Sequence, residues 1–333
     1  MNELVIYLTK FTTQMKVALT LGIDIGGTFT KFGFVDREGN ILEEASLPTN
    51  AKEGVDLFLA RLYDTVEKAF AGLKDNAELK GIGIGVPNGN YYKGTVENPP
   101  NLAWGKLTPL AAMVEKHYNL PTFLTNDANA AALGEMKFGV AKNMKDFVLI
   151  TLGTGLGSGI VVNGKLVYGA DGFAGELGHV NVNPNGRLCG CGKKGCLETY
   201  ASATGIKRTV SKLMADMTVE SDLRDIPYNQ LTGNMITEAA LQGDKIALAA
   251  FEYTGRILGL KLADTVAHLS PEAIILFGGL TKAGSWLFDP IQKHMEENLF
   301  PIFKNKVKLL TSGLEGKNSA VLGASALVWH ELN

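Results

Sequence analysis

A strand-and-turn unit occurs twice in this chain. Residues 17–45, VALTLGIDIGGTFTKFGFVDREGNILEEA, run as an apolar strand, a Gly/Thr turn, a second strand, a polar DREGN turn and a third strand. Residues 146–170, DFVLITLGTGLGSGIVVNGKLVYGA, keep that order, with NG as the second turn. Runs rich in β-branched and apolar residues between Gly, Asn and Asp clusters are the signature of strands joined by tight turns. Each unit therefore reads as a β-meander. Two such meanders about 130 residues apart imply two related domains facing each other.

Helix and strand patterns follow each meander. After the first, the sequence predicts an amphipathic helix near 52–72, a buried strand at 81–86, a helix near 107–117, a strand at 121–125 and an Ala-rich helix at 128–138. After the second come a Gly/Cys-rich loop, a helix near 197–217 and a long helix near 243–269. A strand at 273–277, a helix near 283–299, a strand at 307–310 and a last helix near 318–332 complete the pattern. The last helix is apolar enough to pack back on the first domain. The expected fold class is α/β with a cleft between two domains. The first domain is discontinuous, residues 16–138 plus 318–333, and the second spans 139–317.

Length and charge narrow the function. A chain of 333 residues is ordinary for two domains, and 46% hydrophobic with 20% charged residues fits a globular protein. A formal net charge of −2 offers no basic excess to neutralise a nucleic-acid backbone. No stretch reaches the roughly 18 to 20 consecutive apolar residues of a membrane span. The start of the chain is interrupted by Glu3, Lys10, Gln14 and Lys16, unlike a secretory signal. All three cysteines fall between positions 189 and 196. An odd number so closely spaced argues against a disulfide framework and for a reducing, cytoplasmic compartment.

The Gly-rich turns carry the first chemical signal. In Asp24-Ile25-Gly26-Gly27-Thr28 the paired glycines let the backbone turn tightly, with N–H groups free to meet a phosphate. Thr28 adds a hydroxyl donor, and Asp24 at the strand end suits a hydrated Mg²⁺. A plain hairpin turn explains the same residues as well. In the second turn, Gly153, Gly155, Gly157 and Gly159 alternate with Thr154, Leu156 and Ser158. Four alternating glycines clear one face for a ligand. Neither turn is GxxxxGK[ST] or GxGxxG, which disfavours a P-loop or a dinucleotide fold. As a pair they suggest a nucleotide gripped between domains. Gly278-Gly279 after the strand AIILF would let a flat adenine or ribose lie on the backbone; a strand-to-helix turn is nearly as good an account.

His179, Cys189, Cys191 and Cys196 form the strongest local motif. One imidazole and three thiolates make a complete tetrahedral set for zinc, with no open position, so the metal is structural. Glu176 and Glu198 flank that loop, where carboxylates can accept hydrogen bonds from sugar hydroxyls. Asn126-Asp127 lies between a strand and a helix. Asp127 is either a helix cap or a general base at the cleft.

DIGGT at 24–28, PPNLAW at 99–104, NDANAAALGE at 126–135 and GTGLGSG at 153–159 resemble the ROK sugar-kinase family, as do GELGH at 175–179 and CGCGKKGCLE at 189–198. The resemblance runs in order from about residue 18 to 330 and is closest to glucokinase-like members. It implies the actin/hexokinase-like, ribonuclease H-like superfold, and ATP-dependent phosphorylation of a hexose, glucose at O6 foremost. Mannose, fructose, allose or an N-acetylhexosamine are the alternatives. It further implies that Asp127 is the catalytic base. Asn101, Asn126, Glu176, His179 and Glu198 would line the sugar pocket, with His179 also on zinc. Gly26, Gly27, Thr28, Thr154 and Gly155 would hold the phosphates, Gly278 and Gly279 the adenosine; a homodimer is implied as well. Two positions depart from the family pattern. Phe29 follows DIGGT where many members have Lys, the next Lys being Lys31. Pro87-Asn88 replaces the usual Pro-Gly, so Asn88 becomes a candidate sugar contact. Some members are repressors with a helix-turn-helix domain before this motif; the 23 residues preceding Asp24 are too few for one.

Overall fold

The structure is a computed structural model that describes residues 16–99, 101–314 and 316–332. The start of the chain to residue 15, Pro100 of PPNLAW and Asn333 lie outside the described residues. β1 (Val17–Ile25), β2 (Phe29–Val35) and β3 (Ile41–Pro48) form the first meander. α1 (Val55–Phe70) and β4 (Ala77–Gly85) follow. Next come three strands too short to leave a periodic signal: β5 (Gly89–Asn90), β6 (Thr95–Glu97) and β7 (Leu107–Thr108), which pair as a small sheet. α2 (Leu110–Tyr118), β8 (Thr122–Thr125) and α3 (Asp127–Phe138) complete this half. The main sheet has the order β3-β2-β1-β4-β8, with β4 and β8 parallel to β1.

The second half repeats the plan. β9 (Phe147–Leu152), β10 (Leu156–Val162) and a short β11 (Lys165–Leu166) form the meander. The helix expected over 197–217 is two helices, α4 (Glu198–Ala201) and α5 (Ala203–Asp216). Ser202 separates them: its backbone is extended and its hydroxyl accepts from the Gly205 amide, so it caps the second helix. α6 (Gly233–Leu241), capped by Thr232, has no counterpart among the sequence expectations. α7 (Lys245–Leu269), β12 (Ala273–Phe277), α8 (Ser285–Asn298) and β13 (Lys308–Thr311) follow, then α9 (Ser319–Glu331). This sheet runs β11-β10-β9-β12-β13, the same topology as the first.

α9 lies on the first sheet, and glycines set how closely. A Cβ on Gly22 would sit 2.2 Å from the Val321 carbonyl oxygen, and one on Gly83 1.8 Å from that of Ala324. The Thr20 and Ser325 hydroxyls meet at 2.6 Å in the same seam. One apolar core fills the space around α1 and the first sheet, another that around α7 and the second. A third cluster, with Ala132 and Leu133 of α3, Phe147 and Leu149 of β9 and Leu327 of α9, joins them. Buried Glu135 ties the two chain crossings between the halves: its carboxylate accepts from the Val140 amide at 2.8 Å, the Gly313 amide at 3.2 Å and the Ser312 hydroxyl. No helix of the described residues is long and apolar enough to cross a membrane.

Candidate active site

A cleft of about 500 Å³ lies between the two sheets. Strand ends of both halves open onto it, as expected for ligand sites in α/β folds. From the first half come Asp24, Gly26 and Gly27 at the end of β1, Asn88 after β4, Asn101, and Asn126 and Asp127 at the start of α3. From the second come Thr154 and Gly155, Glu176, His179, Glu198, and Gly278 at the end of β12. Two expected residues do not line it. Thr28 sits at the tip of the first turn, exposed, its carbonyl accepting from the Thr49 amide at 2.9 Å. Gly279 opens the short helix after β12 and faces Asn234 instead.

Both turns owe their shape to missing side chains. The first closes with a bond from the Gly26 amide to the Phe29 carbonyl at 3.1 Å. Gly278 has φ +122°, and a Cβ there would lie 2.5 Å from the Leu152 carbonyl oxygen, so only glycine fits. In the second turn a Cβ on Gly155 would stand 2.2 Å from Glu198 Oε2. That carboxylate accepts from the Leu156 amide at 3.1 Å. The phosphate-type turn and a candidate sugar carboxylate are thus one packed unit. Ser158 extends it, donating to the Gly175 carbonyl and accepting from the Leu177 amide, which fixes the backbone on both sides of Glu176.

Asp127 does not take the capping position. Asn126 is the N-cap of α3, its Oδ1 accepting from the Ala128 amide at 2.9 Å; Asp127 is the first helical residue. Asn126 Nδ2 has no partner among the described residues. The Asp127 carboxylate opens to the cleft but is walled by protein on its other sides. That burial raises its pKa, partly offset by the bond it accepts from the Ala128 amide. Asp24 is pushed up to about 7, first by burial and then by the Asp127 charge, against the opposing pull of Lys31. Burial also raises Glu176, with smaller contributions from Asp127 and Glu198 against His179.

Asn88 has a backbone task. It adopts φ +56°, a left-handed conformation that Gly and Asn tolerate best. This accounts for Asn at a position where Gly is usual. Its Nδ2 donates to the carbonyls of Glu97 and Asn98, both at 3.0 Å, leaving only Oδ1 for the cleft.

The ligand atoms of His179, Cys189, Cys191 and Cys196 all lie within 4.8 Å of one another. His179 Nδ1 is 3.7 Å from Cys189 Sγ, and its Nε2 is 4.0 Å from Glu176 Oε2. The imidazole therefore joins the sulfur cluster to the cleft. Burial pushes the Cys189 thiol up to about 12, a cost of ionisation that a bound cation would offset. One nitrogen and three sulfurs are the donor set of a closed zinc site.

A model of the ROK family matches residues 20–331. The chain belongs to the ROK family. It is 37% identical to the glucokinase of Halalkalibacterium halodurans, over 94% of this chain and 96% of that one. The structure of a ROK family glucokinase from Streptomyces griseus, in complex with glucose and AMPPNP, matches with TM-score 0.78 at 35% identity, covering 94% of this chain and 99% of that chain. A ROK family transcriptional regulator, a homologue of the E. coli MLC protein, matches with TM-score 0.86 at 29% identity, over 95% of this chain and 78% of that one. The expected family and the α/β, actin/hexokinase-like fold with its duplicated meanders are both borne out.

This ROK cleft also holds residues that the sequence motifs did not single out. Asn129, two residues beyond Asp127, is buried, and its Oδ1 has no partner among the described residues. A polar residue inside the Ala-rich run of a buried helix was the available signal. Gly172, Phe173, Ala174 and Gly175 form a wall leading to Glu176. Nothing in their sequence distinguishes that stretch from an ordinary Gly-rich loop.

Proposed function

We propose that this protein is a glucokinase, transferring the γ-phosphoryl group of ATP to O6 of glucose. The carrying observation is that Asp127 lines one cleft together with residues of both Gly-rich turns. Resemblance over nearly the whole length to proteins named glucokinase, one of them crystallised with glucose and AMPPNP, supports the same reading.

In this mechanism Asp127 takes the proton of the sugar hydroxyl as its oxygen attacks the γ-phosphorus. The bond from that phosphorus to the β-bridging oxygen breaks, and ADP leaves. A raised pKa suits Asp127 to the task, since it brings the carboxylate closer to the pH of operation. Asn88 Oδ1, Asn101, the Asn126 amide, Glu176, His179 Nε2 and Glu198 bind and orient the sugar hydroxyls. Backbone N–H groups at Gly27, Thr154 and Gly155 meet the phosphates; Gly26 shapes the first turn, its amide held by the Phe29 carbonyl, and Thr28 reaches the phosphates only if its turn shifts. Gly278 gives the adenosine a flat backbone surface, and Gly279 stands behind it. Mg²⁺, held through water by Asp24, would neutralise phosphate charge, the main requirement of phosphoryl transfer. His179 Nδ1 and the three cysteines would hold a structural zinc that fixes the loop of Glu176 and Glu198.

The lobes 16–138 with 318–333, and 139–317, would close over the substrates about the Glu135 crossings and exclude water. Cytoplasmic residence, with reduced cysteines, and assembly as a homodimer are part of the same reading. ADP release measured with Mg·ATP over a panel of hexoses tests it. Release with glucose above mannose, fructose, allose and N-acetylhexosamines is expected. Tight sugar binding without ADP release would favour a sugar-sensing regulator, a reading that the likeness to the transcriptional regulator keeps in view.

A further inference from the structure

The wall from Gly172 to Glu176 belongs to the second half by sequence, yet the small β5–β7 sheet of the first half holds its leading end. Asn90, fully buried on β5, donates from Nδ2 to the Asp171 carbonyl at 2.8 Å and to Glu97 Oε1 at 3.1 Å. Its Oδ1 faces the Lys93 amide at 3.3 Å and presses on Gly172, where a Cβ would lie 2.7 Å away. The neighbouring Tyr92 donates to the Gly169 carbonyl at 2.9 Å. Tyr91 stacks on Tyr168, ring centroids 4.0 Å apart and planes 6° from parallel. Glycines at 169, 172 and 175 all have positive φ, so this stretch has a turn at every third residue and little local structure of its own. Besides the Ala174 amide bond to the Tyr168 carbonyl at 3.0 Å and the Ser158 hydroxyl at Gly175, what defines its path is the side chains reaching across from the other half.

We propose that Asn90 is a positioning residue for sugar binding, setting the Phe173–Glu176 wall of the cleft through Asp171 and Gly172, with Tyr92 as a second tie. Asn90 does not line the cleft; it acts through the strap it holds. The second Gly-rich turn meets the strap at its far end, where Ser158 bonds to Gly175 and Leu177, whereas Asn90 holds the leading end, so losing Asn90 should affect the sugar more than the nucleotide. This inference rests on the glucokinase reading.

The experiment compares wild type, N90A and Y92F by steady-state kinetics with glucose and Mg·ATP, alongside zinc content. Losing a hydrogen bond changes an equilibrium by roughly two- to tenfold. N90A should raise the glucose KM about tenfold and Y92F about threefold, with the ATP KM within about twofold of wild type and zinc retained. Tyr92 is largely exposed, so Y92F keeps the fold and carries the test if N90A does not fold. Unchanged glucose KM in folded Y92F, or parallel rises for both substrates, would overturn the proposal. A wild type inactive on glucose would instead overturn the glucokinase reading and this inference with it.

Discussion

Asp24 and Asp127 stand on either side of Gly85, whose missing side chain leaves the gap between them. A Cβ there would lie 3.8 Å from the Asp127 Cα and 4.0 Å from Asp24 Oδ1. Two carboxylates at the ends of neighbouring elements, in a poorly solvated cleft, disfavour each other's charge. Burial first, and the Asp127 charge second, set Asp24 at a pKa of about 7 against an ordinary 3.8, so that it titrates where the enzyme would work.

A pH dependence follows. As pH rises through about 7, Asp24 becomes able to support Mg²⁺, so the affinity for Mg·ATP should increase across that range. In D127N the second cause of the shift is gone, and the midpoint should move down. Stability moves the other way. A carboxyl whose folded pKa lies above its unfolded one stabilises the fold fully below about 3.8 and loses that contribution as pH rises to about 7. D24N should therefore raise Tm at pH 8 and change it little at pH 4. An identical Tm difference at both pH values would contradict this.

Asp127→Asn separates chemistry from helix structure. Because Asn126 is the cap, D127N should not destabilise the fold, and relief of a buried charge should raise Tm at neutral pH more than at pH 4, while kcat falls by at least about 10²-fold. N126A should cost about 1 kcal/mol of stability through the lost cap and raise the glucose KM through the lost amide, with a smaller fall in kcat than D127N. Thermal melts and single-turnover rates on the two variants decide the matter. A near-normal rate in folded D127N would move the base to Glu176 or Glu198.

Metal removal should be felt first at the sugar. Purified protein is expected to carry about one zinc per chain, as four closed ligands imply. Cys189 Sγ is 3.5 Å from Glu198 Oε1, so loosening the sulfur cluster loosens that carboxylate. C191A, or prolonged chelation, should lower zinc by elemental analysis and raise the glucose KM more than the ATP KM.

Gly155→Ala offers a sharper case. By sequence it lies in a phosphate turn, yet the added methyl would collide with Glu198 Oε2 at 2.2 Å. The carboxylate must swing away and give up the Leu156 amide. A glucose KM raised about tenfold, with a smaller change for ATP, is the expected kinetic pattern. A rise confined to ATP would show that Glu198 does not bind sugar.

The sequence made the meanders legible because Gly/Thr turns between apolar runs have few other uses. The zinc loop was legible because four soft donors rarely cluster without a metal. Less visible was whatever depends on partners distant in the chain. Ser202 breaks a pattern that looks helical from 197 to 217, since its hydroxyl finds the Gly205 amide. β5 to β7 are two or three residues long, below the length at which alternation can be recognised. Asn88 is legible in the sequence as a candidate sugar contact, but its turn-making role shows only in its φ and its bonds to Glu97 and Asn98. Asn126 and Asp127 are adjacent and chemically alike; only backbone geometry separates cap from first helical residue.

The seam between α9 and the first sheet has a consequence for biosynthesis. Thr20 and Ser325 meet although 305 positions separate them. On the ribosome, β1 and β4 emerge early and wait, with the face around Gly22 and Gly83 uncovered, until nearly all of the described chain has been made. The second sheet, its helices and the cysteine loop all leave the exit tunnel before α9 does. The half that is translated last-but-one can thus mature first, and the half bearing Asp127 is sealed at the end. A truncated product lacking α9 would expose an apolar sheet face for chaperones or proteases to recognise.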